Sequence, residues 1–291
     1  MPFHNIQTYA RFQWINQPRV AHLLEVAFPY SGRGRRGYDG ALLFRWLMYK
    51  QLMGCTYRDL ESMSGIDYST FIKFRRRLQQ EQRCEQLLLL LAQVMAISRK
   101  RLDTVIDSSF VETYSRHDEK GSSFCGYRRK NGFKLHQILE RRTRLPLLQT
   151  TSRGSAADVV VGQSLFSAVP AAWPVKSALG DKGYDANELV ELIYHKWKKV
   201  RIGIPIRRTN QEGYGAPRLE TPKNYRAKAA HRCLDRQLFK KRTEIERYFS
   251  RKKGVFNLGH ERTRHLTNFA ANCALTSVME YLEYLAKPGW G

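Results

Sequence analysis

Three acidic residues, far apart in the chain, sit in surroundings that suit them to hold hard cations. Asp107 closes the β-branched run Leu102-Asp103-Thr104-Val105-Ile106, and Asp181 closes a second run, Val175-Lys176-Ser177-Ala178-Leu179-Gly180. Each run predicts a strand with its acid at the C-terminal end, where open α/β sheets bind ligands. Glu246 lies in a stretch from Phe239 to Lys253 that lacks Gly and Pro and meets Gly254 as a stop, which predicts one helix. At about 100° per residue, Phe239, Arg242, Glu246, Phe249 and Lys253 share an arc of roughly 80°, while Glu244 points roughly 160° away from Glu246. Taken alone, that helix reads equally well as an amphipathic element with an ion-pair ladder. Joined to two strand-end aspartates, its glutamate makes a three-carboxylate set able to hold two divalent cations.

Composition narrows the substrate. The chain of 291 residues carries 50 basic against 26 acidic side chains, a net charge of +24. Such an excess serves nucleic acid or, less often, an anionic membrane; a solvated basic surface is the plain alternative. The best apolar run, Leu87 to Ile97, is too short to span a bilayer and contains Gln93, and the first dozen residues lack a signal-peptide layout. The five cysteines (Cys55, Cys84, Cys125, Cys233, Cys273) are scattered without a CxxC pair, so reduced cytoplasmic thiols and no structural zinc are expected.

The elements that must position these acids follow from pattern. Residues 1–35 read as irregular, with Arg11, Arg19, Arg33, Arg35 and Arg36 among Phe12, Trp14, Phe28 and Tyr30. A helix is expected over Tyr38 to Gly54 and a second from an N-cap at Thr56 through Met63. A third, capped by Ser69 or Thr70, runs through Phe71, Phe74 and Leu78; its Lys73, Arg75, Arg76 and Arg77 make it the candidate DNA-contacting element, against a plain bundle with a basic face. A long helix from Gln79 to Lys100 leads to strands at Leu102–Asp107, Phe133–Leu139 and Leu145–Thr151, with a loop from Tyr114 to Asn131. A helix over Ala156–Val169, a strand at Val175–Gly180, a helix over Ala186–Lys196 and a strand at Val200–Pro205 complete a β-β-β-α-β-α-β-α order. A Gly- and Pro-bearing basic segment precedes the Glu246 helix, and a final apolar helix is expected over Asn268–Leu285. His136 shares a strand face with Lys134, as a neighbour of the acids or as an ordinary half-exposed strand histidine.

The pattern Phe239-x2-Arg242-x3-Glu246-x6-Lys253 resembles the Tyr-x2-Arg-x3-Glu-x6-Lys signature of DDE transposases of bacterial insertion sequences, with Phe239 in the Tyr position. Ile106-Asp107 and Gly180-Asp181-Lys182-Gly183-Tyr184 resemble the first and second Asp blocks of that family, and Gly132-Phe133-Lys134-Leu135-His136 a strand between them. Asp181 follows Asp107 by 74 residues and Glu246 follows Asp181 by 65, which also fits. The likeness covers roughly residues 102–259 and is weaker over 38–78. It implies an α/β, RNase H-like mixed sheet flanked by helices, with an all-helical N-terminal domain. The division would be residues 1–100 for DNA binding or dimerisation and 101–291 for catalysis, with a basic insertion around 207–235 and a C-terminal helix.

The resemblance also implies chemistry. Asp107 would bridge two Mg²⁺ ions, with Mn²⁺ as a substitute, and Asp181 and Glu246 would each complete one side. Arg242 and Lys253 would hold phosphate or orient Glu246. The activity implied is cleavage of double-stranded DNA at element ends and joining of 3′-hydroxyls to target DNA, by a homodimer without membrane association in a bacterial or archaeal cytoplasm, near the nucleoid. Two alternatives stay open: a stand-alone RNase H-like nuclease or resolvase, and a DNA-binding protein with an inactive site, though all three acids are present.

Overall fold

The computed structural model describes residues 13–29, 37–113, 119–205, 240–260 and 264–287. Phe239, Cys233 and the insertion around 207–235 lie outside them. Five helices come first: α1 (Pro18–Ala27), α2 (Gly40–Met53), α3 (Tyr57–Ser64), α4 (Tyr68–Gln80) and α5 (Arg83–Ile97). Local chemistry sets their ends. The Asp39 carboxylate accepts from the Ala41 and Leu42 amides at 3.3 and 3.2 Å to start α2, and Gly54, at φ 64, ends it in the left-handed region that glycine tolerates. Thr56 opens α3 in a capping box with Asp59, as its position predicts.

Four expectations need correction here. Residues 18–27 form a helix, because Pro18 suits its first turn and Val20 and Leu24, four apart, are both buried. The cap of α4 is Asp67, whose side chain accepts from the Ser69 amide at 2.7 Å, in place of Ser69 or Thr70. The long helix is interrupted at Glu81–Gln82, where Gln82 sits at φ 50, so α5 begins only at Arg83. Arg242 is the N-cap of the Glu246 helix, which runs Thr243–Gly254; its end at Gly254 is as expected.

The second half is built on one six-stranded sheet from β1 (Leu102–Glu112), β2 (Ser123–Cys125), β3 (Lys130–Glu140), β4 (Leu145–Arg153), β5 (Val175–Leu179) and β6 (Arg201–Gly203). β1 pairs antiparallel with β3, and β3 with β4 and β2 along its other edge; β5 and β6 continue parallel on the far side of β1. This mixed sheet matches the fold class expected. β2 lies inside the expected loop; three residues are too few for periodicity to reveal. β1 outruns its expected end at Asp107 because β3 goes on pairing with it as far as Glu112.

Alternating side chains bury the two sheet faces differently. Ile106, Ile138 and Ala178 pack with α6 (Asp158–Ala168) and α7 (Asn187–Lys196), through Leu165, Phe166, Leu189 and Ile193. Val105, Leu135, Leu139 and Leu179 pack with α8 (Thr243–Gly254) and α9 (Leu266–Leu285), through Ile245, Phe249, Phe269 and Cys273. α9 is buried at every residue from Asn272 to Leu282, so it has no solvent face over three turns. It lies against β3 and β4 on one side and α1, α2 and α5 on the other. None of the described helices is long and apolar enough to cross a membrane.

A buried polar chain ties α8 to that helix. Lys252 on α8 is fully buried, and its ammonium donates to Tyr248 Oη at 2.9 Å, Ser277 Oγ at 2.7 Å and Glu280 Oε2 at 2.9 Å. Tyr248 donates to the same Glu280 oxygen at 2.7 Å, and Ser277 reaches Gln149 on β4 at 2.5 Å. All three ammonium protons are used, which is what makes a buried lysine tolerable. Breaking one side should leave an uncompensated buried charge. Lys252→Met alone should therefore cost about 3–5 kcal/mol in chemical denaturation, and Lys252→Met with Glu280→Leu much less. A double variant as unstable as the single would refute this role for the pair.

Candidate active site

The sheet register brings two of the three acids together. Val105 stands opposite Leu179 in the parallel β1–β5 pair, so two residues further on Asp107 is level with Asp181. Asp107 thus lies inside β1 but at the level where β5 ends, and the crevice beyond β5 opens beside it. The Gly180-Asp181-Lys182-Gly183-Tyr184 block has a clear local logic. Asp181 caps a single 3-10 turn, Lys182–Tyr184, by accepting from the Gly183 amide at 2.7 Å. A Cβ on Gly183 would stand 2.7 Å from the same carboxylate oxygen, so only glycine allows the approach. Tyr184 is carried under the acids and buried; a Cβ on Gly162 of α6 would meet its ring at 2.7 Å.

Asp107 is short of positive charge. Burial pushes its carboxyl up to about 7; the Ser108 amide at 2.8 Å and Arg242 oppose that rise, while Asp181 and Asp158 add to it. The nearest Arg242 nitrogen stands 3.8 Å from Asp107 Oδ2. Asp103, four residues earlier on the same strand, is the contrast. It is buried where Asp107 is half-buried, yet Arg101 at 2.9 Å, Arg141 at 3.3 Å, Arg142 at 3.4 Å and the Ser177 hydroxyl at 2.8 Å surround it, and its carboxyl stays below the usual range. The Tyr184 phenol is pushed well up, first by burial and then by the charges of Asp107, Asp158 and Asp181.

Asp158 is the member that sequence reasoning missed. It begins α6, where an acid suits the helix dipole, and that position in a first turn was its only signal. Its Oδ1 accepts from Ser108 Oγ at 2.9 Å and Lys134 Nζ at 3.0 Å, and lies 3.7 Å from His136 Nδ1. His136 is therefore buried rather than half-exposed, with Asp158 as its carboxylate neighbour; burial holds its imidazole down to about 4, so the ring is neutral.

Glu246 joins the pair only through Arg242. Its carboxylate accepts from Arg242 Nη2 at 2.6 Å, and its side chain is 55% exposed, on an open groove with Arg247, Ser250 and Arg251. Glu244 turns away as its helical position requires, to Arg144 at 2.7 Å and Arg247 at 3.0 Å. Lys253 donates to the Phe110 carbonyl on β1 at 2.7 Å. Among the described residues no three His, Cys, Asp or Glu side chains are gathered as one metal-binding group. The charge-poor Asp107–Asp181 pair fits a hard divalent cation, whereas Glu246 in this arrangement is engaged by Arg242.

On α4, Lys73, Arg76 and Arg77 are exposed, but Arg75 turns inward and donates to Asn272 Oδ1 of α9 at 2.5 Å. None of the four cysteines among the described residues, Cys55, Cys84, Cys125 and Cys273, forms a disulfide.

The sequence pattern of one family, described as transposase DDE domain, matches residues 98–279. The match opens just ahead of β1 and closes within α9, so it takes in the whole sheet, Asp107, Asp181, Glu246 and the first part of α9. Among curated proteins none matches the chain. With more than half of its length in that match, and the mixed sheet and acid pocket that it encodes, the chain belongs to the DDE transposase family.

Proposed function

We propose that the chain binds the ends of its own insertion sequence, cleaves DNA phosphodiesters there and joins the 3′-hydroxyl ends to target DNA, with Asp107, Asp181 and Glu246 as the ligands of Mg²⁺, or of Mn²⁺ in its place. The observation that carries this reading is the β1–β5 register, which sets Asp107 and Asp181 level with each other in one half-buried pocket where Asp107 is short of positive charge. What the ions supply when bound is an activated water and neutralisation of the departing oxygen. The chain supplies the rest. Asp107 and Asp181 offer oxygens from rigid backbone, and Tyr184 closes the pocket floor. Ser108 and Lys134 hold Asp158 on α6, so that it shapes the charge of the pocket without entering it. Arg242, between Asp107 and Glu246, is drawn to a DNA phosphate on binding, and that frees Glu246 to complete the set. A DNA 3′-hydroxyl takes the place of water at the same pocket for joining. Lys73, Arg76 and Arg77 on α4 contact the element end, within a helical unit of residues 1–100 that serves a homodimer.

Asp107→Ala, Asp181→Ala and Glu246→Ala should each abolish Mg²⁺-dependent nicking of end-bearing DNA while leaving its binding in a gel-shift assay largely intact, since affinity resides in phosphate contacts. Glu244→Ala should remain active, because Glu244 serves the Arg144 and Arg247 pairs on the far side of α8. Equal losses at Glu244 and Glu246 would overturn the helix-face assignment.

Binding should also weaken steeply with salt, by orders of magnitude between low and physiological ionic strength, as counterions are released. A flat response would contradict the assignment of the +24 charge to DNA. Arg76→Ala or Arg77→Ala should cost about 1–3 kcal/mol on the element end and less on random DNA if α4 reads bases. Arg75→Ala should act instead through melting temperature, because its partner is Asn272.

A further inference from the structure

The turn between β2 and β3 carries a basic and aromatic set that the acid pocket does not use. Phe124 is 45% and Tyr127 88% exposed, and Arg128, Arg129 and Lys130 beside them are exposed as well. No acid interrupts the run from Phe124 to Lys130. The turn has a fixed shape: the Arg128 and Arg129 amides both donate to the Cys125 carbonyl, at 3.1 and 2.7 Å, and Arg129 adopts φ 53. The Arg128 guanidinium lies 5.3 Å from the centre of the Tyr127 ring. A lone exposed aromatic is ordinary on a protein surface. Here the ring's partner Arg128 lines a groove of about 370 Å³ with Phe110, Val111, Glu112, Lys130 and Lys253, where Glu112 is paired with Lys130 at 2.6 Å.

Two cations face each other in that groove. Lys253 is held by the Phe110 carbonyl, and its ammonium is pushed down first by burial and then by the nearby charge of Arg128. Like charges brought together by the fold suit an anion between them. The groove also lies a short way along β1 and α8 from the acids. Phe110 is three residues beyond Asp107 on β1, roughly 10 Å at strand rise. Lys253 is seven residues beyond Glu246 on α8, again roughly 10 Å at helical rise. At about 3.4 Å per nucleotide along a strand, that distance spans about three nucleotides. Inside a duplex the faces of a base are covered by its neighbours, so a ring at the tip of a turn can stack only on a base that is unpaired or terminal.

We propose that the β2–β3 turn is a contact for an unpaired DNA strand beside the cleavage centre: Tyr127 stacks on a base a few nucleotides from the bond cut at Asp107 and Asp181, and Arg128 with Lys253 holds the adjoining phosphate. The inference rests on the DNA-cleaving function proposed above. Its test uses the full chain in EDTA, so that cleavage plays no part, with a forked duplex bearing 2-aminopurine in one arm and a blunt duplex of the same sequence. Wild-type protein should bind the fork more tightly and quench the 2-aminopurine. Tyr127→Ala should lose roughly 5- to 150-fold on the fork, together with the quenching, and little on the blunt duplex, while Tyr127→Phe keeps both. Arg128→Ala should lower the slope of log K against log salt by about one on the fork. Equal affinity of wild type and Tyr127→Ala for the fork, or equal losses on both DNAs, overturns the stacking site and leaves the DNA-cleaving function standing. A wild-type chain that binds neither DNA overturns that function and this inference together.

Discussion

The burial of α9 on every side is the constraint on which the rest of the molecule depends. A helix with no solvent face must be covered by something on each flank, and here the sheet covers one and the N-terminal helices the other. The helical region and the catalytic sheet thereby share one continuous apolar core from Trp14 to Ala286. Polar contacts follow the same logic. Gln51 on α2 donates to the Phe256 carbonyl just past α8 at 2.8 Å, and Arg75 on α4 reaches Asn272 on α9. Gly54 ends α2 so close to Asn257 that a Cβ there would meet its amide nitrogen at 2.3 Å. The helices that carry exposed basic side chains are in this way braced against the connection that follows the Glu246 helix.

The same helix fixes α8. Lys252 and Glu280 each resist ionisation on account of burial, the lysine being pushed down and the glutamate up, and each is the other's main compensation. With Tyr248 and Ser277 completing the hydrogen bonds, the register of α8 on α9 is pinned one position from Lys253 and six from Glu246. That register also sets where Arg242 at the N-cap, Glu246 on its open groove and Lys253 at the Phe110 carbonyl stand relative to the sheet.

At the acid pocket, strain is electrostatic. Asp103 and Asp107 stand on one strand, and the fold surrounds the first with arginines and leaves the second facing two other carboxylates. The first is compensated by neighbouring cations and the second only weakly, a contrast of the kind found at functional sites. Asp158 sharpens it. Held by Lys134 and Ser108, it raises the negative potential at Asp107 from a neighbouring helix.

Much of this was legible in the chain itself. The acids Asp107, Asp181 and Glu246 stand out by residue type and spacing, and helical periodicity alone separates Glu246 from Glu244. Capping chemistry marks Thr56, and strand and helix order marks the mixed sheet, because these depend on residues a few positions apart. What sequence could not decide depends on partners far away in the chain. Asp158 acts on Asp107 only because α6 docks over β1 and β3. Arg75 leaves the basic face only because α9, nearly two hundred residues later, offers Asn272. His136 is buried because β4 and α6 cover it. Lys252 looks like one more surface cation in a basic helix, and only the closure of α9 over α8 turns it inward to Glu280. Local pattern settles which elements form; which charge each side chain meets is settled when those elements pack.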